Sequence, residues 1–283
     1  MAAPTSKPAE LRLSAPDGTT LVGSAWVPSA APRAVLVIVH GLKDHVQRYS
    51  ELAGRANSLG LAVYGFDLRG HGRSEGARAW VGRFEEYLTD LDSVLGEVTP
   101  RHPGVPLFLF GHSMGGEIVT RYVLERSPRV AGVILSAPGL RAPAGVSGIA
   151  IGFTKLLGTL APHAAIFQLP NRDFSRDPAV LAAMGEDPLI SQAPAPARTA
   201  AEILRTMSWI RNRERLFSVP VLALHGDADR LTHPDGTRDF IEHIPARSKT
   251  LHRYPGLYHD LLHEPERAIV LGDLVEWLAP RLG

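Results

Sequence analysis

Gly111-His112-Ser113-Met114-Gly115 sets a serine between two glycines, each two residues away. An apolar run at 107–110 comes directly before it, and Ile118, Val119, Tyr122 and Val123 follow at helical spacing. The stretch predicts a strand, a sharp turn and a helix, the setting in which a G-x-S-x-G serine acts as a nucleophile. On so tight a turn the serine takes up strained backbone angles, and a side chain at Gly111 or Gly115 would collide with the neighbouring strand or helix. The hydroxyl is thereby lifted clear of the sheet. A helix that starts directly behind Ser113 also aims its free N–H groups and positive end at an oxyanion forming there. The bland alternative is a glycine-rich packing turn between strand and helix.

A serine hydroxyl is a poor nucleophile unless an imidazole accepts its proton and a carboxylate holds that imidazole in the right tautomer. The chain has twelve histidines, so position must choose among them. His259 stands on a Gly- and Pro-bearing loop after the last predicted strand and before the last predicted helix, where a side chain can swing over the sheet edge. His252 falls inside that strand and His263 against the final helix, which suits structural or surface roles. Asp227 and Asp229 both lie just past the run 219–224, and spacing alone does not separate them.

The elements that must position these groups alternate in type. Residues 11–14 and 20–27 read as a hairpin around Pro16-Asp17-Gly18. The β-branched run 34–39 suits a central strand buried on both faces. Further strands are predicted at 61–66, 130–135, 219–224 and 249–254, with helices at 49–59, 84–98 and 235–243 and a final helix beginning near Pro265 as an N1 proline. Strands alternating with helices predict an α/β chain with a mostly parallel sheet.

From about residue 140 to 205 the alternation stops. Residues 146–160 are apolar enough to raise the question of a membrane span, but Lys155, Gly152, Gly158 and Pro162 argue against one. A helical lid whose apolar face covers a substrate cleft is expected, with a core helix of an inserted subdomain as the alternative. The organisation expected is therefore a core of residues 1–139 and 206–283 with a lid at 140–205.

Of 283 residues, 45% are hydrophobic, ample for a buried core, and the formal charge is +1 with both signs interspersed, so no nucleic-acid footprint is visible. No cysteine is present, which leaves no disulfide framework and no thiolate metal site. The first residues lack a signal-peptide core, and about eight of them read as an unstructured tip. A cytoplasmic protein with no nucleic-acid partner is expected; the oligomeric state is left open.

Taken together these motifs resemble, over nearly the whole length, an α/β-hydrolase of the monoacylglycerol lipase group, also called serine aminopeptidase S33 or lysophospholipase-like. The resemblance rests on His40-Gly41, Asp44-His45, Arg48-Tyr49, Asp67, the run Arg69 to Gly76, Gly111 to Gly116, Asp187-Pro188-Leu189, Asp229-Arg230-Leu231 and Tyr258-His259. It implies an α/β-hydrolase fold with an inserted lid, a Ser113–His259–Asp229 triad, and Asp229 rather than Asp227 as the acid. It further implies an oxyanion hole from the backbone N–H groups of Leu42 and Met114, and places Asp44 and Arg48 at the polar end of an acyl-glycerol pocket, where a surface salt bridge is the alternative. The implied activity is hydrolysis of monoacylglycerols through an acyl-enzyme, without metal or organic cofactor, with peripheral membrane contact through the lid. Lysophospholipase, carboxylesterase, thioesterase or perhydrolase activity would use the same triad, and an idle ligand receptor could keep it. A dehalogenase or epoxide hydrolase would need an aspartate where Ser113 stands. The chain departs from animal relatives in its lid, which lacks their cysteines and tyrosine, and in Tyr258-His259-Asp260-Leu261-Leu262-His263, where those relatives place the second histidine one residue earlier.

Overall fold

The computed structural model describes residues 8–282. The expected unstructured tip lies, apart from Pro8, outside them. The described chain runs β1 (Ala9–Ser14), β2 (Thr20–Trp26), β3 (Ala34–Val39), α1 (Ser50–Ser58), β4 (Leu61–Phe66), α2 (Glu85–Val98), β5 (Leu107–His112), α3 (Met114–Arg126), β6 (Gly132–Ser136), α4 (Gly148–Leu160), β7 (Ala165–Phe167), α5 (Pro178–Glu186), β8 (Ala195–Pro196), α6 (Ala197–Arg211), β9 (Val221–Gly226), α7 (Pro234–His243), β10 (Lys249–Tyr254) and α8 (Arg267–Leu278).

Eight strands form one sheet in the order β1-β2-β4-β3-β5-β6-β9-β10. The β1–β2 hairpin and the β2–β4 pair are antiparallel, and the other pairs are parallel. Every residue of β3 is buried, as its unbroken β-branched run demands. Alternate side chains feed two cores: Val35, Val37 and Val39 pack on the face covered by α2 and α3, and Leu36 and Ile38 on the face with Tyr49, Phe108, Phe110 and Leu274. β3 lies between β4 and β5, so the chain turns opposite ways from it. The crevice beyond the carboxyl ends of β3 and β5 is where open α/β sheets place ligands. This is the α/β-hydrolase fold, a mostly parallel mixed sheet with helices.

Two local expectations are corrected. The last helix begins at Arg267, not near Pro265: Glu264, preceding the proline, is held extended (φ −76°, ψ 159°), and its buried carboxylate accepts from Arg176 and from the Tyr258 amide. The inserted region also contains α5, whose Asp177 cap and first-turn Pro178 are a readable start signal. Four of the large apolar residues of α4 do not close over a cleft. Ile149, Phe153, Leu156 and Leu160, spaced to form one stripe, face solvent, while Gly158 is pressed against Ala201 of α6.

Candidate active site

Ser113 lies between β5 and α3 with φ +54°, ψ −120°, a conformation that costs a non-glycine residue about 1–3 kcal/mol. The turn is pinned by its backbone: the Ser113 N–H donates to Ser136 O (3.0 Å), and Ser113 O accepts from Gly139 (2.9 Å). The flanking glycines are needed for space. A Cβ at Gly111 would stand 2.5 Å from Gly115 O, and one at Gly115 would stand 2.1 Å from Val39 O. α3 opens with Met114, so its N–H is among those left without an intrahelical acceptor. The loop after β3 comes equally close, since a Cβ on Gly41 would stand 3.0 Å from the Ser113 Cβ, and Leu42 follows it. The amides of Leu42 and Met114 thus belong to two chain segments that meet at Ser113.

The loops after β9 and β10 bring in an acid and an imidazole. His259, buried, donates from Nδ1 to Asp229 Oδ2 at 2.7 Å. That bond leaves the Nε2 lone pair of the neutral ring free for a proton. Asp229 Oδ2 also accepts from Thr232 Oγ1 (2.9 Å) and His225 Nε2 (3.1 Å), and Oδ1 from the amides of Leu231 (2.7 Å) and Thr232 (3.0 Å). Burial alone would raise its pKa, but His259 and His225 overcome that and hold the carboxyl below the usual range. Asp227 points away and pairs with Arg253 (2.6 Å).

The imidazole of His259 packs 4.9 Å, centroid to centroid, from the ring of His112, the residue preceding Ser113. Burial and the nearby His259 lower the His112 pKa to about 4, so that ring adds no second positive charge at neutral pH. Among the described residues, the half-buried Ser113 hydroxyl has no hydrogen-bond partner. Catalytic hydrogen bonds in unliganded enzymes are often long and tighten with substrate. Serine, imidazole and carboxylate, each from the carboxyl end of a different strand, share one end of the sheet.

Residues 30–266 match the model of the family described as serine aminopeptidase, S33. The chain belongs to that family. It is 36% identical to the monoacylglycerol lipase of Mycolicibacterium smegmatis over 265 residues, 94% of this chain and 95% of that one. It is 34% identical to the monoglyceride lipase of Rattus norvegicus over 94% and 89%. The Paleococcus ferrophilus monoacylglycerol lipase structure superposes with a TM-score of 0.82 at 29% identity, over 98% and 100% of the two chains. A soluble variant of the Saccharomyces cerevisiae monoglyceride lipase gives 0.88 at 22% identity over 100% and 98%, a likeness of fold. This S33 hydrolase is thus a carboxylic ester hydrolase of the monoglyceride-lipase-like group.

Asp44 and Arg48 of the S33 hydrolase do not form a surface salt bridge. Both side chains are largely buried; Arg48 joins Asp44 (2.9 Å) to Asp260 (2.5 Å), while Asp44 also accepts from Tyr49 Oη (2.6 Å) and the His45 amide (2.8 Å). Burial alone would raise the Asp44 pKa, but the groups around it, Arg48 foremost with His40 and His112, together outweigh that and hold the carboxyl down. Asp260 follows His259 and meets His263 (2.7 Å), whose Nε2 returns to Arg48 O (3.0 Å), so this network grips the loop that carries the imidazole. The inserted region is fastened to the same loops. Asp260 N donates to Phe174 O (2.7 Å), His45 meets Asp187 (2.9 Å), and Lys43 Nζ donates to Leu169 O (3.1 Å).

One buried group close to Ser113 escaped the sequence reading. Glu117, in the first turn of α3, is fully buried and neither carboxyl oxygen makes a hydrogen bond. Burial pushes its pKa well above the ordinary 4.5, against the pull of Arg121. A carboxyl with a raised folded-state pKa contributes most below its unfolded value, and the contribution is lost as pH climbs through the folded one. Glu117→Gln, which does not titrate, is therefore expected to melt above the parent protein at pH 8, with the gap closing toward pH 4. Thermal melts at a series of pH values check this, and a gap independent of pH would contradict it.

Proposed function

We propose that this protein cleaves monoacylglycerols to fatty acid and glycerol through an acyl-enzyme on Ser113. The observation that carries the reading is the bonded pair of Asp229 and His259 placed against the nucleophile turn, in a chain whose relatives bear the name monoacylglycerol lipase. His259 takes the Ser113 proton as the hydroxyl attacks the ester carbonyl, and the amides of Leu42 and Met114 hold the oxyanion. The same imidazole then protonates the departing glycerol and later activates the water that frees the acid. Asp229 stays ionised throughout.

Asp44 and Arg48 set the polar end of the site, in this reading, by fixing the His259 loop through Asp260. The acyl chain is received by a cavity of about 400 Å³ between the start of α4 and α6, with Leu140, Val146, Ile151, Leu204 and Met207 among its walls. Leu140 directly follows Gly139, which is bonded to the Ser113 carbonyl. Residues 140–205 act as the lid over the core of 1–139 and 206–283. No helix among the described residues is long and apolar enough to cross a membrane. The exposed α4 stripe suits peripheral contact with a lipid surface, where substrate would be met.

A second reading, lysophospholipase, is favoured by 31% identity to the phospholipase YtpA of Bacillus subtilis over 83% of this chain. Monoacylglycerols of graded acyl length, lysophosphatidylcholine and p-nitrophenyl butyrate separate the two. The expected result is a kcat/KM at least about tenfold higher for a monoacylglycerol than for the lysophospholipid of equal chain length. Equal or reversed preference would overturn the glycerol assignment, and saturable binding without turnover would point to a receptor.

A further inference from the structure

The triad acid is shared by two imidazoles, and only His259 has a part in the reaction above. His225, in β9, is completely buried and places Nε2 3.1 Å from Asp229 Oδ2, the oxygen that His259 Nδ1 reaches at 2.7 Å. Its other nitrogen, Nδ1, is 2.7 Å from Thr237 Oγ1 on α7, and Thr232 Oγ1 lies 3.3 Å from Nε2. These partners fix the tautomer of the neutral ring. A carboxylate only accepts, so the proton sits on Nε2; Nδ1 then accepts, and the Thr237 hydroxyl donates. The ring is a rigid strut between helix α7 and the acid. It leaves Asp229 little freedom to turn, because Oδ1 is already held by the amides of Leu231 and Thr232.

We propose that His225 is a positioning residue for the ester hydrolysis: through its Nε2–H bond to Asp229 Oδ2, locked by Thr237, it aims the carboxylate at His259. The inference rests on the triad assigned under the proposed function. His225 itself touches neither substrate nor Ser113. Without the strut, the carboxylate oxygen facing His259 swings, and the imidazole loses its alignment at the moment it becomes charged. Ground-state binding of the ester, made elsewhere, is left alone.

Two amides divide the ring's contacts between them. Glutamine at 225 reaches about as far as Nε2 and can still donate to Asp229, whereas asparagine reaches only the Nδ1 position and the Thr237 hydroxyl. For His225→Asn, kcat is expected to fall on the order of tenfold to a hundredfold, the size expected for losing a hydrogen bond to a charged group, with KM unchanged. His225→Gln is expected to keep kcat within about threefold of the parent, since the charge-assisted bond is retained. Both variants are melted alongside the assays. Equal kcat losses in the two variants, parent-like kcat in the asparagine variant, a rise in KM, or losses that follow the melting temperatures would each overturn the proposal. Ser113→Ala, run in parallel, separates this from failure of the triad itself: if it still turns over, the triad reading falls, whatever the His225 variants do.

Discussion

Ser113→Ala is expected to lower kcat/KM by at least about three orders of magnitude on any ester the protein cleaves. The residual rate would come from the amides of Leu42 and Met114 and from substrate binding, neither of which needs the hydroxyl. The fold should survive. The Ser113 hydroxyl has no hydrogen-bond partner among the described residues, and the turn is held by backbone bonds to Ser136 and Gly139, which alanine can also make. Alanine keeps the strained positive φ, so stability is expected to change little. Initial-rate kinetics beside a thermal melt check both halves, and a loss below tenfold in a folded variant would remove Ser113 from the chemistry.

Asp229→Asn is expected to lower kcat on the order of 10³- to 10⁴-fold, because the amide favours the wrong tautomer of His259. This acid is also structurally committed. Its two oxygens accept from His259, His225, Thr232 Oγ1 and the amides of Leu231 and Thr232, all donors. An asparagine NH₂ must therefore face donors whichever way it turns. Stability is expected to fall by about 1–3 kcal/mol, the penalty for buried polar groups left unmatched. Asp227→Asn, a change at the partly exposed Arg253 pair, is the control and is expected to cost little. Comparable losses in the two variants would mean the acid had been misassigned.

Much of this site could be read before any coordinates, and the reason is local. β3 and β4 announce themselves as unbroken apolar runs because both faces are covered, and their observed bounds, Ala34–Val39 and Leu61–Phe66, are those expected. The turn that carries Ser113 is legible because its glycines answer short-range collisions within a few residues of chain. The acid was another matter. Nothing in the spacing of Asp227 and Asp229 says which way each points; a family resemblance selected Asp229, and the fold turns Asp227 outward to Arg253.

What stayed hidden is held together across long separations. Arg48 meets Asp260 over 212 positions, so an i,i+4 Asp44–Arg48 pair, for which a surface salt bridge was the alternative to a place in the pocket, is in fact the buried end of a network. His225 was one of twelve histidines, at the end of a strand where a core ring is unremarkable, and its meaning comes only from Thr237 and Asp229 closing around it. The exposed stripe of α4 was misjudged because amphipathic spacing says that a helix has an apolar side, and not what that side meets.

The most direct test of the whole account is to find where a covalent acyl-enzyme mimic forms. The intact protein is treated with an alkyl fluorophosphonate, digested, and the modified peptide sequenced by mass spectrometry. A single adduct on Ser113, formed in step with loss of esterase activity and absent from Ser113→Ala, is the result expected. Inactivation with the label on any other residue, or full activity after stoichiometric labelling of Ser113, would contradict it.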